Sequence, residues 1–321
     1  SYTPSGTLYY GDDYGVITGV VLDTQVGPLA TAGTHVINAS GGVADNYTIS
    51  HVNGTLTVAK SDTVEVVADN KAKVYGAADP SLTSVTSGTF FYGDDPAAVV
   101  TGITLDTQTG ASATAGTHAI TVTGSTAANY IITETAGTLT VSKAAALDVA
   151  ADAAAKVYGA AEPSLTYTPS GTLYYGDTYG SVISGVNLST ATGASATAGT
   201  HVITAADGVI ANYEITHTRG TLTVTKAAAL TATADNQAKV YGAADPSLTY
   251  TSSGTLYYGD AYSVVTGVNL STATGALATV GTHTITSTGG VADNYFTDNA
   301  NVTLTVTEAD LTVTADDQGK T

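Results

Sequence analysis

Apolar and polar residues alternate one by one over short runs along the whole chain. In LTVTAD (311–316), Leu311 and Val313 alternate with Thr312 and Thr314, and TLTV (55–58) and AITVTG (119–124) follow the same rule. A period of two, carried by β-branched residues, puts one face of a strand on a core and the other in water. Gly, Asn, Asp and Pro interrupt these runs at short intervals, which marks turns. The one helical signal is a single turn after each YYGD-type segment. In Asp94-Asp95-Pro96-Ala97-Ala98-Val99-Val100, Asp stands where an N-cap belongs and Pro near the first helical position. The pattern predicts an all-β fold with roughly six or seven strands per unit. It fits an Ig-like sandwich and a helix-poor β-grasp equally.

The unit is set by repetition. AKVYGAADPSLT (72–83) returns as AKVYGAAEPSLT (155–166) and AKVYGAADPSLT (238–249), so Tyr75, Tyr158 and Tyr241 recur every 83 residues. The GTHxI landmark (His35, His118, His201, His283) and the Asn-Tyr landmark (Tyr47, Tyr130, Tyr213, Tyr295) recur at spacings of 83, 83 and 82. GTLTV marks Thr57, Thr140 and Thr223, with Thr305 in a diverged last copy. The single-residue slips fall between YYGD and the next glycine, as between Gly259 and Gly267, where a loop absorbs a deletion. Tandem β-domains of ~83 residues follow. Residues 1–60 read as a partial repeat lacking its first strand, 61–143, 144–226 and 227–308 as complete repeats, and 309–321 as the first strand of a further one.

The phase of this array has two readings. Lys320 matches Lys239 and Ser1 matches Thr249, so the equivalent of 241–248 is missing between tail and head. The chain is then either a window on a longer polypeptide, or a subunit whose 309–321 segment completes 1–60 of an identical chain by donor-strand pairing. In both readings the partners are neighbouring repeats of the same or an identical chain, head to tail. Short junctions without Gly/Ser tethers, Lys143 to Leu147 and Lys226 to Leu230, restrict domain angles. Domains with mainly nearest-neighbour contacts then line up as an elongated rod.

Composition narrows the partners. The chain has no Cys, which excludes disulfide staples and the common zinc sites. Nine Lys and Arg stand against 27 Asp and Glu, a net charge of −18. That argues against nucleic acid and against an anionic membrane surface. No apolar run approaches the ~20 residues of a membrane-spanning helix.

The unit also carries a recognisable motif order: Ala68-Asp69-Asn70, Lys73-Val74-Tyr75-Gly76, Asp79-Pro80, Asn129-Tyr130 and Gly137-Thr138-Leu139-Thr140-Val141. In this order it resembles the MBG/YDG-type tandem repeat domains of large, filamentous-haemagglutinin-like bacterial surface adhesins, and it does so in every copy. One departure is His118 and its equivalents, where that family more often has Tyr. The resemblance implies an extracellular protein of the bacterial cell surface and a stalk of tandem β-domains. It implies no catalytic residue.

Candidate chemistry is sparse. His118 shares strand parity with Ile120 and Val122 and has no second His or Cys nearby, so it reads as a residue at the core edge. The YYGD aspartates (Asp12, Asp94, Asp177, Asp260) read as turn or N-cap acceptors. Asp69, Asp152, Asp235 and Asp316 recur where units begin and are the candidate calcium ligands, because calcium collects carboxylate oxygens. Lys73, Lys156, Lys239 and Lys320 read as snorkelling strand residues with solvated amines. Tyr9-Tyr10 and Tyr174-Tyr175 read as core caps, with a sugar-stacking platform as the alternative. No nucleophile motif, phosphate loop or paired carboxylates appear. The expected function is therefore a structural stalk or fibre segment without catalysis. The alternative is an adhesive module that binds a glycan or a host protein with each repeat.

Overall fold

Alternation of the LTVTAD kind becomes a strand at the start of each complete repeat: Ser61–Ala68, Ala144–Ala151 and Ala227–Ala234. The computed structural model describes residues 1–320; Thr321, counted with the last expected strand, lies outside the described residues. The chain divides into two compact units. One comprises Ser1–Ala144 with Tyr174–Gly176 and Ala211–Tyr213, the other Ala145–Leu173, Asp177–Ile210 and Glu214 onward.

Repeat 227–308, wholly within the second unit, shows the architecture. Its seven strands are Ala227–Ala234, Gln237–Val240, Tyr250–Ser253, Thr266–Thr272, Gly281–Val291, Tyr295–Ala300 and Val302–Thr307. The first strand lies between the third, antiparallel, and the sixth, parallel. The second, seventh, fifth and fourth form the other sheet, its second and seventh strands parallel. This is a two-sheet sandwich; a β-grasp would need one sheet wrapped on a helix. The chain changes sheet at Asp235-Asn236. There Asp235 accepts from Thr249 Oγ1 (2.7 Å) and Thr251 Oγ1 (2.9 Å), and Asn236 Oδ1 accepts from Thr303 N (3.1 Å).

The inward faces meet in a dry core. Leu230, Ala232 and Ala234 of one sheet and Ile285, Leu304 and Val306 of the other are all buried. Leu248, Leu270 and Val302 pack against the part of it formed by Ala234, Ile285, Leu304 and Val306 with Ala278. Each buried Leu or Ile contributes ~1.5–3 kcal/mol by leaving water. Repeat 61–143 repeats the plan in the first unit, with Val64 and Val66 in one sheet and Ile120, Leu139 and Val141 in the other.

The predicted single turn is present, and its type follows loop length. Gly93 and Gly102 are nine positions apart, and the turn Pro96–Val99 is α-helical, with Val100 N bonded to Pro96 O. Asp95 caps it by accepting from Ala97 N (3.1 Å). Gly259 and Gly267 are eight positions apart, and Tyr262–Val264 tightens to a 3-10 turn, with Val265 N bonded to Tyr262 O. Deleting one residue exchanges a four-residue hydrogen-bond spacing for a three-residue one.

Two segments depart from the seven-strand plan. Residues 1–60 form only Thr18–Asp23, Gly33–Val43 and Gly54–Val58, one three-stranded sheet. Residues 47–52, which match the sixth strand of the other repeats, form none. Elsewhere that strand takes parallel hydrogen bonds from a first strand, and residues 1–60 contain no such strand. Residues 309–320, expected as a first strand, carry no regular secondary structure, and Leu311 (91%) and Val313 (89%) are exposed. In repeat 227–308 the matching strand is held by strands that begin at Tyr250 and Tyr295; the 309–320 segment has no such partners here.

The lysines correct the sequence reading. The amines of Lys73, Lys156 and Lys239 are buried, not solvated, and pair with Asp79 (2.6 Å), Glu162 (2.8 Å) and Asp245 (2.7 Å). Carbonyls complete their shells: Lys73 Nζ donates to Ala111 O and Lys156 Nζ to Ala194 O, both at 2.6 Å. A buried ammonium requires such partners.

Candidate functional site: a tyrosine and aspartate junction between repeats

Within the second unit, repeat 144–226 meets repeat 227–308 through Tyr158. This residue follows the strand Ala154–Val157 and is held by Tyr158 N donating to Thr225 O (2.9 Å). Only 5% of Tyr158 is exposed. Its ring meets three tyrosines of the next repeat edge-on: Tyr257 at 6.4 Å, Tyr258 at 5.4 Å and Tyr295 at 5.4 Å between centroids. Tyr257 and Tyr295 lie parallel, 6.4 Å apart. Edge-to-face pairs of this kind contribute about 0.5–1.5 kcal/mol each beyond area burial.

One carboxylate ties the cluster together. Asp260 Oδ2 accepts from Tyr158 Oη (3.0 Å) across the junction and from Tyr295 Oη (2.7 Å) within its own repeat. Tyr295 Oη in turn accepts from Tyr257 N (2.9 Å). Burial first, then the Asp260 hydrogen bond, pushes the Tyr295 phenol up to about 12. The same two causes raise Tyr158. Both phenols therefore stay protonated as donors.

Tyr258 is placed by backbone strain. Its φ is 53°, left-handed for a bulky residue, and Tyr10, Tyr92 and Tyr175 share the conformation at φ 53°, 59° and 53°. That region costs about 1–2 kcal/mol for a residue with a side chain. At Tyr258 the turn sends the hydroxyl to Ala194 O of the preceding repeat (2.7 Å). Lys156 Nζ donates to the same carbonyl, so the buried ion pair and the junction share an acceptor. A further bond, Ala198 N to Asn294 Oδ1 (2.9 Å), closes the contact. Gly159, at φ 88°, leaves room for Tyr257: a Cβ there would lie 2.4 Å from the Tyr257 ring.

The first unit contains the same arrangement. Tyr75 meets Tyr174, Tyr175 and Tyr213 at 6.4, 5.3 and 5.4 Å, and a Cβ on Gly76 would lie 2.5 Å from the Tyr174 ring. Ala115 N donates to Asn212 Oδ1 (3.0 Å). Where no VYG tyrosine faces the turn, exposure rises: Tyr92 is 78% exposed and Tyr10 wholly so, against 47% for Tyr258.

The candidates from sequence fall as follows. Asp12, Asp94 and Asp260 are acceptors, but of tyrosine hydroxyls; the N-caps are the neighbouring Asp13 and Asp95. Asp69 accepts from Thr83 Oγ1, and Asp152 from Thr166 and Thr168 Oγ1 (both 2.7 Å), which holds the Asp152 carboxyl below its usual range. Asp235 has the matching Thr249 and Thr251 pair, whereas Asp316 lies in the exposed 309–320 segment. No group of three or more His, Cys, Asp or Glu side chains placed to hold a metal ion occurs among the described residues. The Nε2 of His118 sits 2.7 Å from Thr114 O, and the other GTHxI histidines make the same local bond. Tyr174 and Tyr175 spend their rings on Tyr75. Sequence reasoning passed over Gly159 and Asn294. The available signal was that VYG, a YYGD-type segment and Asn-Tyr recur together in every complete repeat.

Comparison with known proteins agrees with the period. A sequence model of the MBG domain, YGX type, matches residues 1–57, 64–140, 147–223 and 230–305. No curated protein matches the chain. Among solved structures, the chain is similar to Drosophila N-cadherin EC1-4, with 10% identity, 89% of this chain and 85% of that one covered, and a TM-score of 0.28. It is also similar to the N-terminal four Ig domains of Dscam1 isoform 1.9, with 9% identity, coverage of 87% and 80%, and a TM-score of 0.23.

Proposed function

The chain belongs to the MBG domain family of the YGX type, a repeat module of surface-type proteins, and from that premise we propose that it is a stalk segment of an extracellular bacterial adhesin or surface fibre. It performs no catalysis in this reading, and its working part is the junction. The observation that carries the proposal is the burial of Tyr158 between two repeats, with its hydroxyl on Asp260 and its ring against three tyrosines. A flexible tether would leave that ring in water. Three edge contacts and a hydrogen bond to a carboxylate outweigh the ~1–2 kcal/mol of strain at Tyr258. Such a contact resists bending, which suits a module that holds something away from a surface.

Small-angle scattering on the 321-residue chain tests this. The stalk reading expects an elongated particle whose maximum dimension shortens or smears when Tyr158 is replaced by Ser. A compact particle, or one indifferent to that change, would overturn it.

A second reading, adhesive binding by each repeat, draws on one feature. An open groove of about 690 Å³ in repeat 144–226 is lined by Pro163, Leu165, Tyr167, Val186 and Leu188, with Glu162 on its wall. Saturable signal on a glycan array that Tyr167→Ser abolishes would favour it over the stalk.

A further inference from the structure

The chain has 20 Tyr and no Cys, Met or Trp. The thiols and thioethers that usually absorb oxidants are therefore absent. Indole is absent too, which leaves phenol as the readily oxidised side chain. Four tyrosines are in ring contact at each junction: Tyr75, Tyr174, Tyr175 and Tyr213 in one, Tyr158, Tyr257, Tyr258 and Tyr295 in the other.

In each cluster one pair combines ring contact with access. Tyr158 and Tyr258 lie 5.4 Å apart between centroids at 76°, and Tyr75 and Tyr175 lie 5.3 Å apart at 79°. The first member of each pair is buried and the second is about half exposed. Tyr258 and Tyr175 stand on their left-handed turns with hydroxyls on carbonyls of the preceding repeat, Ala194 O (2.7 Å) and Ala77 O (3.2 Å). An oxidant in solution reaches the exposed phenol, and ring contact passes the electron vacancy to the buried one. A phenol that loses an electron also sheds its proton, so a buried phenol needs a base within hydrogen-bond reach. Asp260 Oδ2 is that base for Tyr158, accepting from its hydroxyl at 3.0 Å. The other two tyrosines near Tyr158 fit less well. Tyr257 is farther, at 6.4 Å, and Tyr295 is fully buried with its hydroxyl fixed between Asp260 and Tyr257 N.

We propose that these two pairs are sites of oxidative cross-linking: a peroxide, acting through a haem peroxidase, joins Tyr158 to Tyr258 and Tyr75 to Tyr175 as dityrosine and so locks each junction. Each phenol gives up one electron and its hydroxyl proton. The two phenoxyl radicals pair their electrons in a carbon–carbon bond between ring positions beside the hydroxyls. The hydrogens on those two carbons leave as protons, and the two ring oxygens each take up a proton, which restores both phenols. In sum two ring C–H bonds break, one C–C bond forms, and one hydrogen peroxide takes up two electrons and two protons to become two waters. A chain without cysteine has no disulfide with which to staple its repeats. Dityrosine supplies a staple from the residues already in contact, and each bond joins positions 100 apart. The chemistry rests on the junction alone; its use in stiffening a fibre rests on the stalk reading.

The test treats the 321-residue chain, at low concentration, with hydrogen peroxide and a haem peroxidase. The expected product shows dityrosine fluorescence at the mass of one chain, less two hydrogens for each bond. Trypsin, cutting after Lys and Arg, leaves Tyr75 in peptide 74–143, Tyr158 and Tyr175 in 157–219, and Tyr258 in 240–320. The first and third peptides are each expected to be found joined to the second, with fragmentation placing the bonds at the named pairs. Tyr258→Phe keeps the ring and is expected to remove the Tyr158 link alone, and Tyr175→Phe the Tyr75 link alone. Tyr92→Phe, which removes an exposed phenol outside both clusters, is expected to remove neither. An unchanged circular dichroism spectrum certifies the fold of each variant. No dityrosine within a single chain, bonds that map to other tyrosines, or links that survive Tyr258→Phe and Tyr175→Phe would each overturn the proposal. Scattering from the chain before oxidation judges the stalk reading separately, since an unlinked chain can still be a rod and a linked one can still be compact.

Discussion

Gly159 and the ring of Tyr257 share one position: a Cβ added to Gly159 would lie 2.4 Å from the Tyr257 Cγ. The glycine of VYG is therefore shaped by the repeat that follows it. Gly159→Ala is expected to open the junction at a cost of about 1–3 kcal/mol, as for other forced overpacking. Gly242→Ala, at a similar φ of +83° but with open space around it, reports the backbone strain alone. Thermal unfolding of the two variants side by side separates the clash from the strain; equal losses would refute the assignment.

The left-handed tyrosines give a second paired experiment. Tyr10 and Tyr258 have the same φ of 53°, but only Tyr258 donates to a neighbouring repeat. Replacing Tyr10 by Gly is expected to raise the stability of the single chain by up to ~1 kcal/mol, because strain is relieved and no contact is lost. Tyr258→Gly is expected to lower it, since its hydrogen bond and ring contact go too. Denaturant melts at low concentration read both, and a gain at Tyr258 would contradict the junction.

Alkaline pH should loosen the junction. The Tyr295 phenol is raised from 10.0 to about 12, first by burial, and Tyr158 moves the same way. A raised folded-state value means that the contribution is complete below pH 10 and is lost as pH rises through 12. Melting temperature should fall over that window in step with tyrosinate absorbance. Tyr295→Phe should flatten this dependence.

The Lys156 and Glu162 pair predicts a loss on the acid side. The Lys156 hydrogen bond is the main cause that lowers the Glu162 carboxyl below its ordinary 4.5. Its contribution is present above that value and declines as pH falls through the lower folded-state one. Lys156→Ala leaves the Glu162 carboxylate without its cation, with only the Thr190 hydroxyl still donating to it, and is expected to cost about 2–4 kcal/mol; Lys156→Met with Glu162→Leu should recover most of it. Chemical denaturation checks the order of the three chains.

Calcium addition and chelation form a fifth test. Asp69, Asp152 and Asp235 each accept from threonine hydroxyls inside their own repeat, and a cation would compete for the same lone pairs. Millimolar calcium and excess chelator are therefore expected to give the same melting curve. A calcium-dependent rise that Asp152→Asn removes would instead establish these aspartates as ligands.

The sequence by itself determined the period, the all-β class and the capped single turn, because all three are local. Thr and Val alternation, glycine spacing and Asp95 before Pro96 act within a few residues of themselves. Tertiary structure alone decided the sandwich over the β-grasp, because identical strands serve both until pairing is chosen. It alone showed the lysine amines buried, since Lys156 meets Glu162 and Ala194 only when distant turns converge. It alone assembled the junction, for Tyr158 and Asp260 lie 102 positions apart. Side-chain chemistry names what a tyrosine can do; only the fold says which carboxylate stands within 3.0 Å of it.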